Sequence, residues 1–137
     1  MSEHFARPAG GHVPVLRLGD VLLVTLQGDL HDGMASQLQQ DLAETIVASR
    51  VTGVVIDISG VEIVDSFLGR VLAETAAQTE LLAARTVVAG MRPAVAITLV
   101  ELGLTFPELR TALNTEAALA LLSQPVVANR RGGEGRP

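Results

Sequence analysis

Residues 54–67 read V-V-I-D-I-S-G-V-E-I-V-D-S-F, and the reading of the whole chain follows from them. Val54, Val55, Ile56 and Ile58 form a short β-branched apolar run, the pattern of a strand buried on both faces. Gly60 interrupts the run, and Val61, Ile63 and Val64 are expected to pin the following loop to the core. Asp65-Ser66 then stands directly before Phe67, Leu68, Val71 and Leu72, whose spacing predicts a helix. A carboxylate and a hydroxyl therefore meet where the exit loop of a strand runs into a helix N-terminus. In open α/β folds that edge is where ligands and partners engage. Taken alone, Asp and Ser at such a place are ordinary capping residues.

On the N-terminal side, residues 13–18 and 21–27 are strand-like and are separated by Gly19-Asp20, a hairpin turn dipeptide. Residues 28–33 read as a loop. Met34, Leu38, Leu42 and Ile46 then recur every four residues, one stripe of an amphipathic helix that Asp32 is placed to cap and that ends near Arg50. On the C-terminal side the helix from Ser66 should run to about Ala84. Residues 86–89 form the next buried strand, closed by Gly90. Arg92-Pro93 opens a third helix with Gly103 at its stop. Residues 108–113, just after Pro107, read as a weak edge strand, and Asn114 caps a last helix over 115–122. This order predicts an α/β domain with a mostly parallel central sheet, an antiparallel N-terminal hairpin and about four helices. The expected organisation is a flexible arm over 1–12, a single domain over 13–123 and a disordered tail over 124–137.

Composition removes several functions. At 137 residues the chain is long enough for one domain with a real core. It has no cysteine, which excludes disulfides, thiol catalysis and Cys-based metal sites. All ten basic residues are arginine, so Schiff-base chemistry, a P-loop lysine and the lysine of a receiver domain are absent. Without that lysine Asp57 reads as a strand-end carboxylate bonded to backbone, not as a phospho-aspartate. A net charge of −5, no Trp or Tyr and three Phe argue against nucleic acid as a partner. His4, His12 and His31 are poorly spaced for a metal, and His31 with Asp29 and Asp32 reads as a turn cluster. No cofactor motif is found; Ser59 reads as a strand end, and Arg92 as a phosphate ligand or the partner of a carboxylate. The mean hydropathy is +0.40, yet no apolar run approaches the ~18 residues of a membrane span. The first residues lack the pattern of a signal peptide. A cytoplasmic chain with surplus apolar surface, prone to self-association, is the expectation.

The buried strand, the loop and Asp65-Ser66 at a helix start resemble the STAS domains, the fold of the anti-anti-sigma factors. Further stretches are similar to one branch, the small stressosome subunit (RsbS type). They are Pro14-Val15-Leu16-Arg17-Leu18 with Leu22-Leu23-Val24, Gly53 to Ile58, Val64 to Phe67, Gly90 to Leu99, and Glu101-Leu102-Gly103. The resemblance covers roughly residues 13–122.

The resemblance implies a non-enzymatic scaffold without the N-terminal sensory domain of its larger STAS-domain paralogues. Such a scaffold co-assembles with those paralogues and with itself, and sequesters a switch serine/threonine kinase. The kinase phosphorylates the scaffold, leaves and activates a downstream regulator, and a cognate phosphatase resets the serine. By the same resemblance Ser66 is the phosphorylation site. Asp65, Phe67 and Glu62 lie near it as partner-binding residues, Asp65 doubling as the helix cap. The larger paralogues often carry a second phosphorylatable Thr at the position of Ala89, so one dominant site is expected here. Two other readings stand beside this one. One is a free anti-anti-sigma factor that binds an anti-sigma-factor kinase directly. The other is a small-molecule-binding α/β domain, for which no triad, metal set or nucleotide motif is present in the sequence.

Overall fold

The structure, a computed structural model, describes residues 12–28, 30–103 and 109–124. Two short strands, β1 (Val15–Leu18) and β2 (Val21–Thr25), pair antiparallel across the two-residue Gly19-Asp20 turn, with Leu18 opposite Val21. Gly19 takes φ +63, which the turn needs and a side chain resists. There follow α1 (Asp32–Ser49), β3 (Gly53–Asp57), α2 (Ser66–Leu81), β4 (Arg85–Ala89), α3 (Pro93–Glu101), β5 (Arg110–Ala112) and α4 (Thr115–Ser123). The sheet runs β1-β2-β3-β4-β5, parallel from β2 onward, so each new strand is laid beside the last. The predicted class is therefore found: four helices on a mixed five-stranded sheet.

Double burial of β3 comes from helices on both sheet faces. Val54 and Ile56 join Leu38, Leu42, Ile46, Leu68, Leu72, Val95 and Leu99 in the larger core, under α1, α2 and α3. Val55, on the opposite face, packs with Val87, Ala89 and Ala118 under α4. Gly53 leaves room for that second layer, since a Cβ there would stand 3.0 Å from Leu122. A polar seam crosses the larger core. Thr79 on α2 and Thr86 on β4 share a hydrogen bond of 2.5 Å, Thr86 donates to the Ala84 carbonyl, and Thr79 is bonded to the helical carbonyls of Thr75 and Ala76. Gln78 reaches the Gln39 carbonyl on α1 at 2.8 Å, tying the two long helices together.

Four features differ from the sequence reading. Asp32 is the first residue of α1, not its cap. The cap is His31, extended at φ −126 and ψ 175, whose Nδ1 accepts from the Met34 N–H at 3.4 Å. Periodicity misses this turn because Asp32 and Gly33 add no apolar side chain to the stripe. The helix α2 stops at Leu81 rather than near Ala84. Ala83 takes φ +67, its N–H bonds the Glu80 carbonyl and the Ala84 N–H bonds that of Thr79, a Schellman ending with alanine where glycine is usual. The edge strand β5 is only three residues, with Leu113 89% exposed beyond it, while Pro107 and Glu108 lie outside the described residues. Ile63, expected in the core, is 83% exposed. The arm through residue 11 and the tail from residue 125 also lie outside the described residues.

Two glycine–alanine exchanges of opposite sign test this backbone reading. Gly90 has φ +78, and a Cβ there would stand 2.9 Å from the Ser59 Cβ. Gly90→Ala should therefore lower the unfolding free energy in urea by about 1–3 kcal/mol. Ala83→Gly relieves a left-handed alanine and should raise it by roughly 0.5–1 kcal/mol.

Candidate functional site

The loop between β3 and α2 is held at both ends and offers its middle to solvent. At its start Ile58 extends the ladder by donating to Ala89, and Val61 closes a turn onto the Ile58 carbonyl, each at 2.9 Å. Asp57 Oδ1 accepts from the Ser59 N–H at 2.9 Å. Arg92, at the start of α3, donates Nε to the Ser59 carbonyl at 3.0 Å. Arg92 thus ties two loops together through a backbone carbonyl.

Beyond the turn the side chains separate. Val61 and Val64 are buried, at 0% and 5% exposure, whereas Glu62 and Ile63 between them point outward. The apolar character of Ile63 reads as core in the sequence. Its neighbours supply the anchoring, and Ile63 is left as a surface group close in the chain to Ser66.

Asp65 is the N-cap of α2. Its backbone is extended at φ −116 and ψ −179, its Oδ1 accepts from the Leu68 N–H at 2.9 Å, and its carbonyl takes the first helical bond from Gly69. Ser66 is the first helical residue, exposed, and its hydroxyl bonds to no group among the described residues. Free N–H groups of the first turn and the helix dipole favour negative charge at this end. Phe67 is half-buried and Leu68 fully buried, so the helix is seated through them and Ser66 stays outside.

The residues singled out in the sequence thus gather on one edge. An open depression of about 350 Å³ is lined by Gly28, Leu30, Gly60, Glu62, Ile63, Asp65, Phe67 and Leu68. That volume lies at the low end for small-molecule sites, and the lining has no converging set of polar groups to orient a ligand. Sequence reading misses two members of this edge. Ile63 is one. The other is Arg70, one turn beyond Ser66, whose guanidinium lies 6.0 Å from the centre of the Phe67 ring. The i, i+4 spacing of Ser66 and Arg70 is the available signal. Among the described residues no group of three acidic or histidine side chains is placed to hold a metal. No described helix is long and apolar enough to cross a membrane.

Known proteins share the fold that carries this edge. The family model for the STAS domain matches residues 12–118. A serine-to-glutamate variant of RsbS from Moorella thermoacetica is 40% identical and superposes with a TM-score of 0.71, over 80% of this chain and 93% of that one. A chain from the stressosome, described as a signal integration and transduction hub, is 42% identical with a TM-score of 0.72, over 80% and 95%. The RsbT co-antagonist protein RsbRD of Bacillus subtilis (strain 168) is 31% identical over 108 residues, 78% of this chain. The chain spans only 39% of that relative's length.

The cap is separable from the charge. Asp65→Ala should cost about 0.5–2 kcal/mol in denaturant unfolding, whereas Asp65→Asn, which keeps an accepting oxygen, should stay within about 0.5 kcal/mol of the parent.

Proposed function

The chain belongs to the STAS domain family, and from that premise we propose that it is a non-enzymatic scaffold of the stressosome type. It holds a switch serine/threonine kinase in the cytoplasm and releases it when Ser66 is phosphorylated. Release activates a downstream regulator, and a cognate phosphatase restores the serine. Larger STAS-domain paralogues and further copies of this chain are its assembly partners. The observation that carries this reading is the Ser66 hydroxyl, exposed and, among the described residues, unbonded at the head of a helix that Asp65 already caps. The similarity to a stressosome chain and to RsbS supports it, as does the existence of an RsbS variant with a serine exchanged for an anionic side chain.

The physics of the switch follows from the site. Phosphate adds about −1.5 to −2 charges at neutral pH. The helix dipole favours such a charge by ~0.3–1 kcal/mol, and Arg70 at i+4 is a ready counter-ion. The domain itself therefore tolerates the modification. A partner seated over Ile63 and Phe67 does not, because it must bury the new charge beside Asp65 and Glu62. Without a counter-charge on the partner such burial loses ~2–5 kcal/mol, roughly 30- to several-thousand-fold in affinity. Ala89 is fully buried at the end of β4 and has no hydroxyl to modify, which leaves Ser66 as the single site of this reading.

Intact mass after incubation with the switch kinase and ATP tests the proposal. The parent should gain one phosphate and Ser66→Ala none. A phosphate that persists on Ser66→Ala moves the site elsewhere, and an unmodified parent beside an active kinase reduces Asp65-Ser66 to a helix cap. Ile63→Asp should leave the unfolding midpoint unchanged and weaken kinase binding by about tenfold or more, read by calorimetry or biolayer interferometry. Unchanged binding would remove Ile63 from the docking surface.

A further inference from the structure

The edge at Ser66 carries a cation that has no strong contact of its own. Arg70 is exposed on the second turn of α2, and among the described residues its guanidinium has neither a carboxylate at bridging distance nor a hydrogen bond. Glu74, one turn further on, is exposed as well but forms no bridge with it. Arginine before glutamate at i, i+4 is the less favourable order for such a pair. What Arg70 does meet is Phe67, its guanidinium carbon standing 6.0 Å from the ring centre. That separation is the outer limit of a cation–π contact, which is weak at an exposed site.

Helix geometry gives the guanidinium a second neighbour. Side chains of an α-helix lean toward its N-terminus, so Arg70 lies over the first turn, with Phe67 at i−3 and Ser66 at i−4. A serine hydroxyl competes poorly for it. A phosphate ester at the same position brings up to about two negative charges and three acceptor oxygens. A guanidinium meets these with paired, charge-assisted hydrogen bonds, which outweigh an exposed ring contact. The surrounding charges point the same way. Asp65 stands on the N-terminal side, its Oδ1 already taken by the Leu68 N–H at 2.9 Å, and Glu62 is exposed on the same loop. Both carboxylates repel a phosphate from the loop, toward the flank of the helix that holds Arg70.

We propose that Arg70 is a relay at this edge: a phosphate on Ser66 draws its guanidinium off the Phe67 ring. The phosphoryl group passes from ATP to the Ser66 Oγ, which gives up its proton, and ADP leaves. Arg70 is a positioning residue that acts on the product of this transfer. The edge then gains an anion, loses an available cation and uncovers an aromatic ring in one step. The inference rests on reading Ser66 as the phosphorylation site, and its test needs no kinase.

The test uses the full chain, labelled with fluorophenylalanine, with serine or with phosphoserine installed at position 66 during translation. Each form is made as the parent, Arg70→Gln and Arg70→Lys. Phosphorus NMR follows the second ionisation of the phosphate, about pH 6 for an unpaired group. Pairing with Arg70 favours the dianion, so the midpoint in the parent should lie roughly half a pH unit or more below that in Arg70→Gln, with Arg70→Lys between them. Fluorine NMR follows the ring. The chain has three Phe and no Tyr or Trp, so few lines are present and the Phe67 line is the one missing from Phe67→Leu. Arg70→Gln should move that line in the serine form and leave it in place in the phosphoserine form, where the guanidinium has already gone. Equal phosphate midpoints in the parent and Arg70→Gln would overturn the relay. So would a Phe67 line that Arg70→Gln moves in neither form, or by the same amount in both. A switch kinase that passes over Ser66 would remove the signalling role of the site while leaving these spectra as they are, so the two readings fail separately.

Discussion

The structure depends on a strand with no exposed face. Because Val54, Val55 and Ile56 are all shut off from water, β3 must have a strand on either side and a helical layer above and below. Parallel partners supply the first and the crossover helices the second. The exit of β3 runs past Ser59, beside the start of α3, and on to the N-terminus of α2. The Asp57 carboxylate and the Arg92 side chain then hold the first turn of that exit through hydrogen bonds to the backbone of Ser59. The position of Ser66 is thus a consequence of burial several residues earlier, transmitted through Val61 and Val64.

Most of this architecture is legible in the sequence because it rests on periodic signals. The β-branched run at 54–58, the four-residue stripe from Met34 to Ile46, Pro93 and Asn114 at helix starts and Gly103 past a helix end each have a local physical meaning that the fold preserves. What is not legible lies where periodicity has no purchase. Whether Val61, Ile63 or Val64 turns inward depends on the course of a non-repeating loop, and hydrophobicity alone assigns all three to the core. The histidine cap is hidden because Asp32, next to it, is the commoner capping residue type. The end of α2 is overrun because alanine at 83 does not advertise a left-handed turn.

Two exposed surfaces differ in kind. The edge at Ser66 is mixed, with carboxylates, one hydroxyl and a few apolar groups. The outer side of α3 is apolar along its length with charge only at the ends. Both lie on the same layer of helices, connected through Arg92 and the Ser59 turn.

The alternation within residues 61–64 has an evolutionary consequence. Stability is carried by the two buried valines, and the exposed pair Glu62 and Ile63 contributes almost nothing to it. Such positions drift freely as far as folding is concerned. After gene duplication, copies that keep one core can acquire different partners by exchanging two neighbouring codons, without passing through a destabilised ancestor.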